Sequence, residues 1–179
     1  MTENFIFKEE SCLSSETCKK LIEFFDKNEF MAKKGDVGNI MFLDDLEIPI
    51  SVFNSPPLKE GVMKAINKYK NKYSLLETNL GDWAIDDIAY LMRYEPKAHY
   101  SYIHCEADGS PTRILAWMIY LNTIKNQGGT EFIYQNTTLI PKEGDMYIWP
   151  SGWTHFHRGV ATPNERKYII TGWASTVFN

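Results

Sequence analysis

The chain's most reactive combination is spread over two distant segments, His104-Cys105-Glu106 and His155-Phe156-His157. His104 and Glu106 are two residues apart, so on extended backbone both side chains face one way and Cys105 the other. That parity removes the thiol from a shared ligand set. His155 and His157 repeat the spacing with Phe156 opposite, and one of them can bind a metal while the other lines the approach. Two imidazoles and one carboxylate form the facial triad of non-haem Fe(II) sites, which leaves coordination positions open for oxygen chemistry. A plainer reading competes, because His-x-Glu also arises by chance and such residues cap or hydrogen-bond in many folds.

Lys167 is a separate chemical signal. It opens an alternating stretch in which Lys167, Ile169, Thr171 and Trp173 share a face. An ammonium among Ile and Trp is poorly placed for water, and burying it is costly unless an anion arrives. The strand therefore asks for a negative partner, from the protein or from a ligand. The competing reading is an edge lysine that snorkels to solvent.

The elements that must position these groups are legible in outline. Ile148-Trp149-Pro150 reads as a strand end, since proline lacks the amide donor of a central strand. Phe5-Ile6-Phe7 reads as a short strand. Ser14 can cap a helix with the core stripe Cys18, Leu21, Ile22 and Phe25, and Leu13 can staple onto Cys18. From Phe30 to Ser55 the pattern is irregular, with Gly35, Gly38, Asp44, Asp45 and Pro49, and predicts loops and short strands that cover something. Pro56-Pro57 begins a second helix whose apolar face is Leu58, Val62, Ala65, Ile66, Tyr69 and Tyr73, with lysines mostly on a solvated face.

After Gly81 the period changes to two. Ile88 to Tyr94 predicts a strand buried on one side and partly open on the other, and Ile114 to Leu121 one covered on both faces. Thr130 to Tyr134, Thr137 to Ile140 and Asp145 to Trp149 follow, with turns at Gly128-Gly129, Gln135-Asn136 and Lys142-Glu143-Gly144. Two helices and then roughly eight strands make an α+β chain whose sheet part is a two-sheet barrel or jelly roll. The expected organisation is one domain over residues 1–179, with helical support and loops in 1–81 and the jelly-roll core in 82–179.

Composition narrows the function classes. Hydrophobic content of 44% and charged content of 23% fit a globular chain. A net charge of −4 gives no basic footprint for nucleic acid. Cys12, Cys18 and Cys105 are too scattered for a disulfide framework or a zinc motif and read as reduced thiols. With neither a basic-apolar leader nor a spanning apolar run, the expectation is a cytoplasmic protein without a membrane partner.

Several further motifs stand in order between Ile88 and Trp173. They are Tyr94-Glu95-Pro96, His104-x-Glu106, Arg113, Tyr120-Leu121-Asn122, Gly128-Gly129-Thr130-Glu131-Phe132, Pro141-x-x-Gly144-Asp145, His157-Arg158-Gly159 and Lys167-Tyr168-x-x-Thr171-x-Trp173. Together they resemble the Fe(II)- and 2-oxoglutarate-dependent dioxygenases of the prolyl 4-hydroxylase type, over roughly half of the chain. The resemblance implies a double-stranded β-helix (a cupin-like jelly roll) with N-terminal helices packed on one sheet. It implies His104, Glu106 and His157 as iron ligands, and Lys167 as the partner of the distal carboxylate of 2-oxoglutarate. The ten-residue spacing to Lys167 and the following Arg158-Gly159 select His157 over His155, which is left as second to the metal or substrate-facing. Tyr94, Tyr120 and Thr171 match positions near the co-substrate, and Arg113 one near a peptide substrate.

The implied reaction couples decarboxylation of 2-oxoglutarate to succinate with hydroxylation of a C–H bond by O2, with ascorbate as a candidate reductant. Its implied substrate is a prolyl residue of a peptide or protein. The alternatives are a free amino acid or small metabolite enclosed by the segment from Phe30 to Ser55, and a non-catalytic jelly-roll binding module. Two departures from the family stand out. Glu106 replaces the usual Asp, and Lys97-Ala98-His99 lies where the family has a glycine. The carboxylate at 106 also argues against a halogenase, which would need that position free for halide.

Overall fold

The computed structural model describes residues 3–34 and 45–177. Gly35, Gly38 and Asp44, part of the irregular stretch, lie outside them. Helix α1 (Ser15–Lys27) begins as expected, with the Ser14 hydroxyl accepting from the Thr17 N–H and Cys18 and Phe25 buried. Helix α2 (Pro56–Lys72) starts at the proline pair and buries Leu58, Val62, Ala65, Ile66 and Tyr69. A short α3 (Leu75–Asn79) follows. Among the described residues no helix is long and apolar enough to cross a membrane.

The strands are β1 (Phe7–Glu9), β2 (Lys33–Lys34), β3 (Asp45–Ser51), β4 (Trp83–Ile85), β5 (Ile88–Tyr94), β6 (Arg113–Tyr120), β7 (Thr130–Phe132), β8 (Thr137–Thr138), β9 (Met146–Pro150), β10 (His157–Gly159) and β11 (Lys167–Thr176). The large antiparallel sheet runs β1-β9-β6-β11-β5-β3-β2, with β4 also on β11, and a small sheet runs β10-β7-β8. Alternation along β6 divides the interior into two layers. Leu115, Trp117 and Ile119 meet Phe25, Leu58 and Val62 of the helices. Ala116, Met118 and Tyr120 meet Phe132, Leu139 and Trp149 between the sheets. On β11 the helix-side row includes Gly172, where any Cβ would collide with the Trp117 ring.

This is the two-sheet architecture expected, with two differences. The first strand starts later, at Phe7, because Phe5 adopts a positive φ of 58°. Strand β5 is as expected, buried on the side of Ala89, Leu91 and Arg93 and partly open on the other, where Ile88 is exposed and Tyr90 half-buried. The second difference is β3, a seven-residue strand where loops and short strands were expected. It pairs along its whole length with β5, so residues before Gly81 belong to the same sheet as those after it. Pro49 is tolerated there because β2 covers only Glu47 and Leu46 on the outer edge, leaving no described ladder partner for the missing amide.

Candidate metal centre

The two candidate ligand histidines, His104 and His157, are joined by their own backbones. His104 donates its amide to the His157 carbonyl at 3.0 Å and accepts from the His157 amide at 2.9 Å, a single antiparallel bridge on the open side of β10. Each ring is then oriented by the carbonyl two residues earlier. His104 Nδ1 lies 3.0 Å from the Tyr102 oxygen, and His157 Nδ1 2.9 Å from the His155 oxygen. A carbonyl only accepts, so each Nδ1 carries the proton and each Nε2 keeps a lone pair for a metal.

Glu106 completes the set from a turn, not from a continuing strand. Its Oε1 stands 3.2 Å from His157 Nε2 and 3.7 Å from His104 Nε2. The three donor atoms lie within 4.8 Å of one another. Burial raises the Glu106 carboxyl, but the two imidazoles outweigh it and hold the group below the usual carboxylate range. Burial correspondingly lowers His104, and Glu106 reverses that to a net rise. Three converging donors, two of them preset as Nε2 lone pairs, fit a divalent first-row metal. Asp108, the other nearby carboxylate, is not in this group, because the chain turns after Glu106 and the alternation that would align it ends.

These donors open onto a cavity of about 460 Å³ that is also lined by Lys167, Ile169, Thr171 and Trp173. The shared face expected of β11 is thus present. Lys167 is 4% exposed. Its Nζ donates to the Gly128 carbonyl at 3.0 Å and stands 4.8 Å from the Tyr94 ring centroid. Among the described residues no carboxylate pairs with it, and burial pushes the ammonium down to about 8. A buried cation held by one carbonyl and one ring suits an incoming anion.

Tyr94, Thr171 and Arg113 also line the cavity. The Thr171 hydroxyl donates to the Trp117 carbonyl at 3.3 Å, and the Arg113 guanidinium lies 3.6 Å from the Trp173 ring centroid. Two expectations are corrected. Tyr120 does not border the cavity. It is fully buried between the sheets and reaches the wall only through its hydroxyl contact with Thr130 at 3.1 Å. His155 does not line the cavity either. A 3-10 turn over Trp153–His155 replaces the extended backbone that would have aligned it with His157. Its ring is held by the Asn4 carbonyl at 2.9 Å and Thr154 Oγ1 at 3.0 Å, and it serves the site through its own carbonyl.

Three contributors escaped the sequence reading. Trp173 Nε1 donates to Glu106 Oε2 at 2.7 Å. The Tyr102 carbonyl aims His104. Glu47, from the unexpected β3, lines the cavity. Only Trp173 carried a signal, as the last residue of the alternating face. Where the family has a glycine, Lys97 adopts a positive φ of 72° and donates its amide to the Thr162 carbonyl at 2.7 Å. The turn is kept with a residue that rarely adopts that conformation.

Residues 89–175 match the family described as the 2OG-Fe(II) oxygenase superfamily. No curated protein sequence matches the chain. Among solved structures, the chain is similar to the viral collagen prolyl hydroxylase of Paramecium bursaria Chlorella virus-1 in its 2OG complex. That match has a TM-score of 0.74 and 18% identity, covering 97% of each chain. A prolyl-4-hydroxylase of Pseudomonas putida gives a TM-score of 0.71 and 14% identity, over 98% of this chain and 94% of that one. A prolyl hydroxylase of Trichoplax adhaerens, in complex with a hypoxia inducible factor peptide fragment, gives 0.72 and 15%, over 96% and 84%. The similarity establishes the double-stranded β-helix fold, and the family match spans all three candidate ligands. Over residues 89–175 the protein belongs to the 2OG-Fe(II) oxygenase superfamily, and the chain as a whole has a prolyl hydroxylase-like fold.

Proposed function

We propose that the protein hydroxylates a prolyl residue in a peptide or protein, with His104, Glu106 and His157 holding Fe(II) and Lys167 receiving the distal carboxylate of 2-oxoglutarate. The observation that carries this reading is the placement of the donor triad and an uncompensated buried ammonium in one cavity. When bound, the metal supplies activation of O2 coupled to decarboxylation of the co-substrate to succinate and CO2. The chain's own residues do the rest. Lys167 offers a charge-assisted contact to one end of a dianion. Met92, Met118, Trp149 and Ile169 give the cavity an apolar wall that excludes water. Tyr102, 46% exposed, and Trp173 line the cavity with aromatic surface on which the C–H groups of a proline ring can pack. The three free cysteines suit a reducing, cytoplasmic compartment.

Glu47 favours a second substrate class, a free amino acid or other small amine. Its carboxylate lines the cavity without an ion-pair partner among the described residues, and burial with Asp45 nearby raises its pKa. A substrate ammonium would answer that charge. Incubation with Fe(II), 2-oxoglutarate and either a proline-rich peptide library or free amino acids separates the readings. Succinate release with a one-oxygen mass gain on prolyl peptides is expected. Turnover confined to free amino acids, and lost in Glu47→Gln, would replace the peptide reading with the second.

A further inference from the structure

Glu106 carries one methylene more than the expected aspartate, and that reach creates a difficulty. A longer arm can bring both carboxylate oxygens to one metal, filling a position that a facial triad must leave open. In the structure the two oxygens are already divided. Oε1 faces the imidazole nitrogens at 3.2 and 3.7 Å. Oε2 accepts from Trp173 Nε1 at 2.7 Å. An indole N–H can only donate, so it engages Oε2 without competing for the metal.

Trp173 is itself held in place. Its ring meets Tyr90 nearly edge-on, with centroids 5.8 Å apart. The Arg113 guanidinium stacks 3.6 Å from its centroid. Arg113 Nη1 also donates to the Glu106 backbone carbonyl at 3.3 Å and stands 3.8 Å from Oε2. Both ends of Glu106 are therefore tied to the same pair of residues. We infer that Trp173, braced by Arg113, is the positioning residue that presents Glu106 to the metal as a one-oxygen donor. Arg113 then belongs to this brace, and the substrate contact expected of it is secondary. The inference rests on the metal-site reading above.

The test compares anaerobic Mn(II) binding, without co-substrate, in wild type, Trp173→Phe, Glu106→Asp and the double variant, alongside the indole N–H resonances of the apoprotein. Phe keeps an aromatic face against Arg113 while removing the donor and the pyrrole ring, so the thermal midpoint should fall only modestly. Trp173→Phe should weaken metal binding about 10- to 100-fold, the usual cost of losing an outer partner of a ligand. The same change in the Glu106→Asp background should cost about threefold or less, because the shorter carboxylate no longer reaches the indole. Affinity unchanged or raised in Trp173→Phe overturns the inference, and so do equal losses in both backgrounds, which would make Trp173 a packing residue. If Glu106→Asp binds metal too weakly to titrate, the Trp173 resonance decides. It should move toward a free indole in Glu106→Asp, and an unmoved resonance overturns the inference. Wild type that binds no metal removes the metal-site reading itself.

Discussion

Two buried cations lie one register step apart on neighbouring strands and face opposite sides of one sheet. Arg93 of β5 pairs with Tyr168 of β11, and the next pair is Tyr94 with Lys167. Arg93 turns toward the helices, where Glu29, Glu95 and Asp26 approach to 2.6, 3.0 and 3.6 Å. Lys167 turns toward the cavity and finds the Gly128 carbonyl and the Tyr94 ring. The hydrogen bonds that Arg93 donates to Glu29 hold its guanidinium protonated, whereas burial alone acts on Lys167 and pushes it down to about 8. On the side that only holds the fold together, counter-charges are supplied. On the side proposed to receive an anion, the charge is left open, and the apoprotein carries the cost.

The sharpest way to break this contrast is to replace each cation by an apolar residue of similar length. Lys167→Met should raise the 2-oxoglutarate requirement about 10- to 100-fold, equivalent to a lost charge-assisted contact of ~1.5 to 3 kcal/mol. The apoprotein should be no less stable in urea, since an uncompensated ammonium has been removed. An unchanged requirement would move the anion's partner to Arg158 or Arg166, which in the structure are engaged by Glu131 and Glu95. Arg93→Met should do the reverse, lowering stability by ~1.5 to 3 kcal/mol with the co-substrate requirement intact. The loss should fall at the low end, because its acidic partners are 39–50% exposed and can return to water.

Titration gives a smaller, graded test. Lys167 has a folded value of about 8 against an ordinary 10.5. Between these the unfolded chain keeps a proton that the folded apoprotein has lost, so stability rises with pH across this window. The full cost of burying the ammonium is present below about 8. Binding of the dianion needs the charged form, so 2-oxoglutarate affinity should be level below pH 8 and fall about tenfold by one unit above it. Lys167→Arg, charged throughout, should flatten the decline. A flat profile in wild type would show that Lys167 does not meet the co-substrate.

What the sequence reveals follows the same division. The layers facing the helices are legible because apolar alternation is strong: Leu115, Trp117 and Ile119 on β6, and Cys18 and Phe25 on α1, lie where periodicity puts them. Strand β3 is hidden because its inner face carries Asp45, Glu47 and Pro49, residues that ordinarily mark loops. Its outer face, Leu46, Ile48 and Ile50, packs toward the helix layer. Parity placed Glu106 beside His104 although the chain turns there. It failed at His155, where Ser151-Gly152 leads into a 3-10 turn that rotates the ring away from the cavity. The carbonyls of Tyr102 and His155 could not be foreseen, because backbone groups leave no trace in residue type.

The most direct test is an anaerobic titration of the protein with Fe(II) and 2-oxoglutarate, followed by the visible charge-transfer band of the chelate. His155 meets the metal site only through its carbonyl, whereas His157 Nε2 stands among the donors. The expected result is a band in wild type and in His155→Ala, and none in His157→Ala. A band lost in His155→Ala but kept in His157→Ala, or absent from wild type, would contradict the assignment of His104, Glu106 and His157 as the metal site.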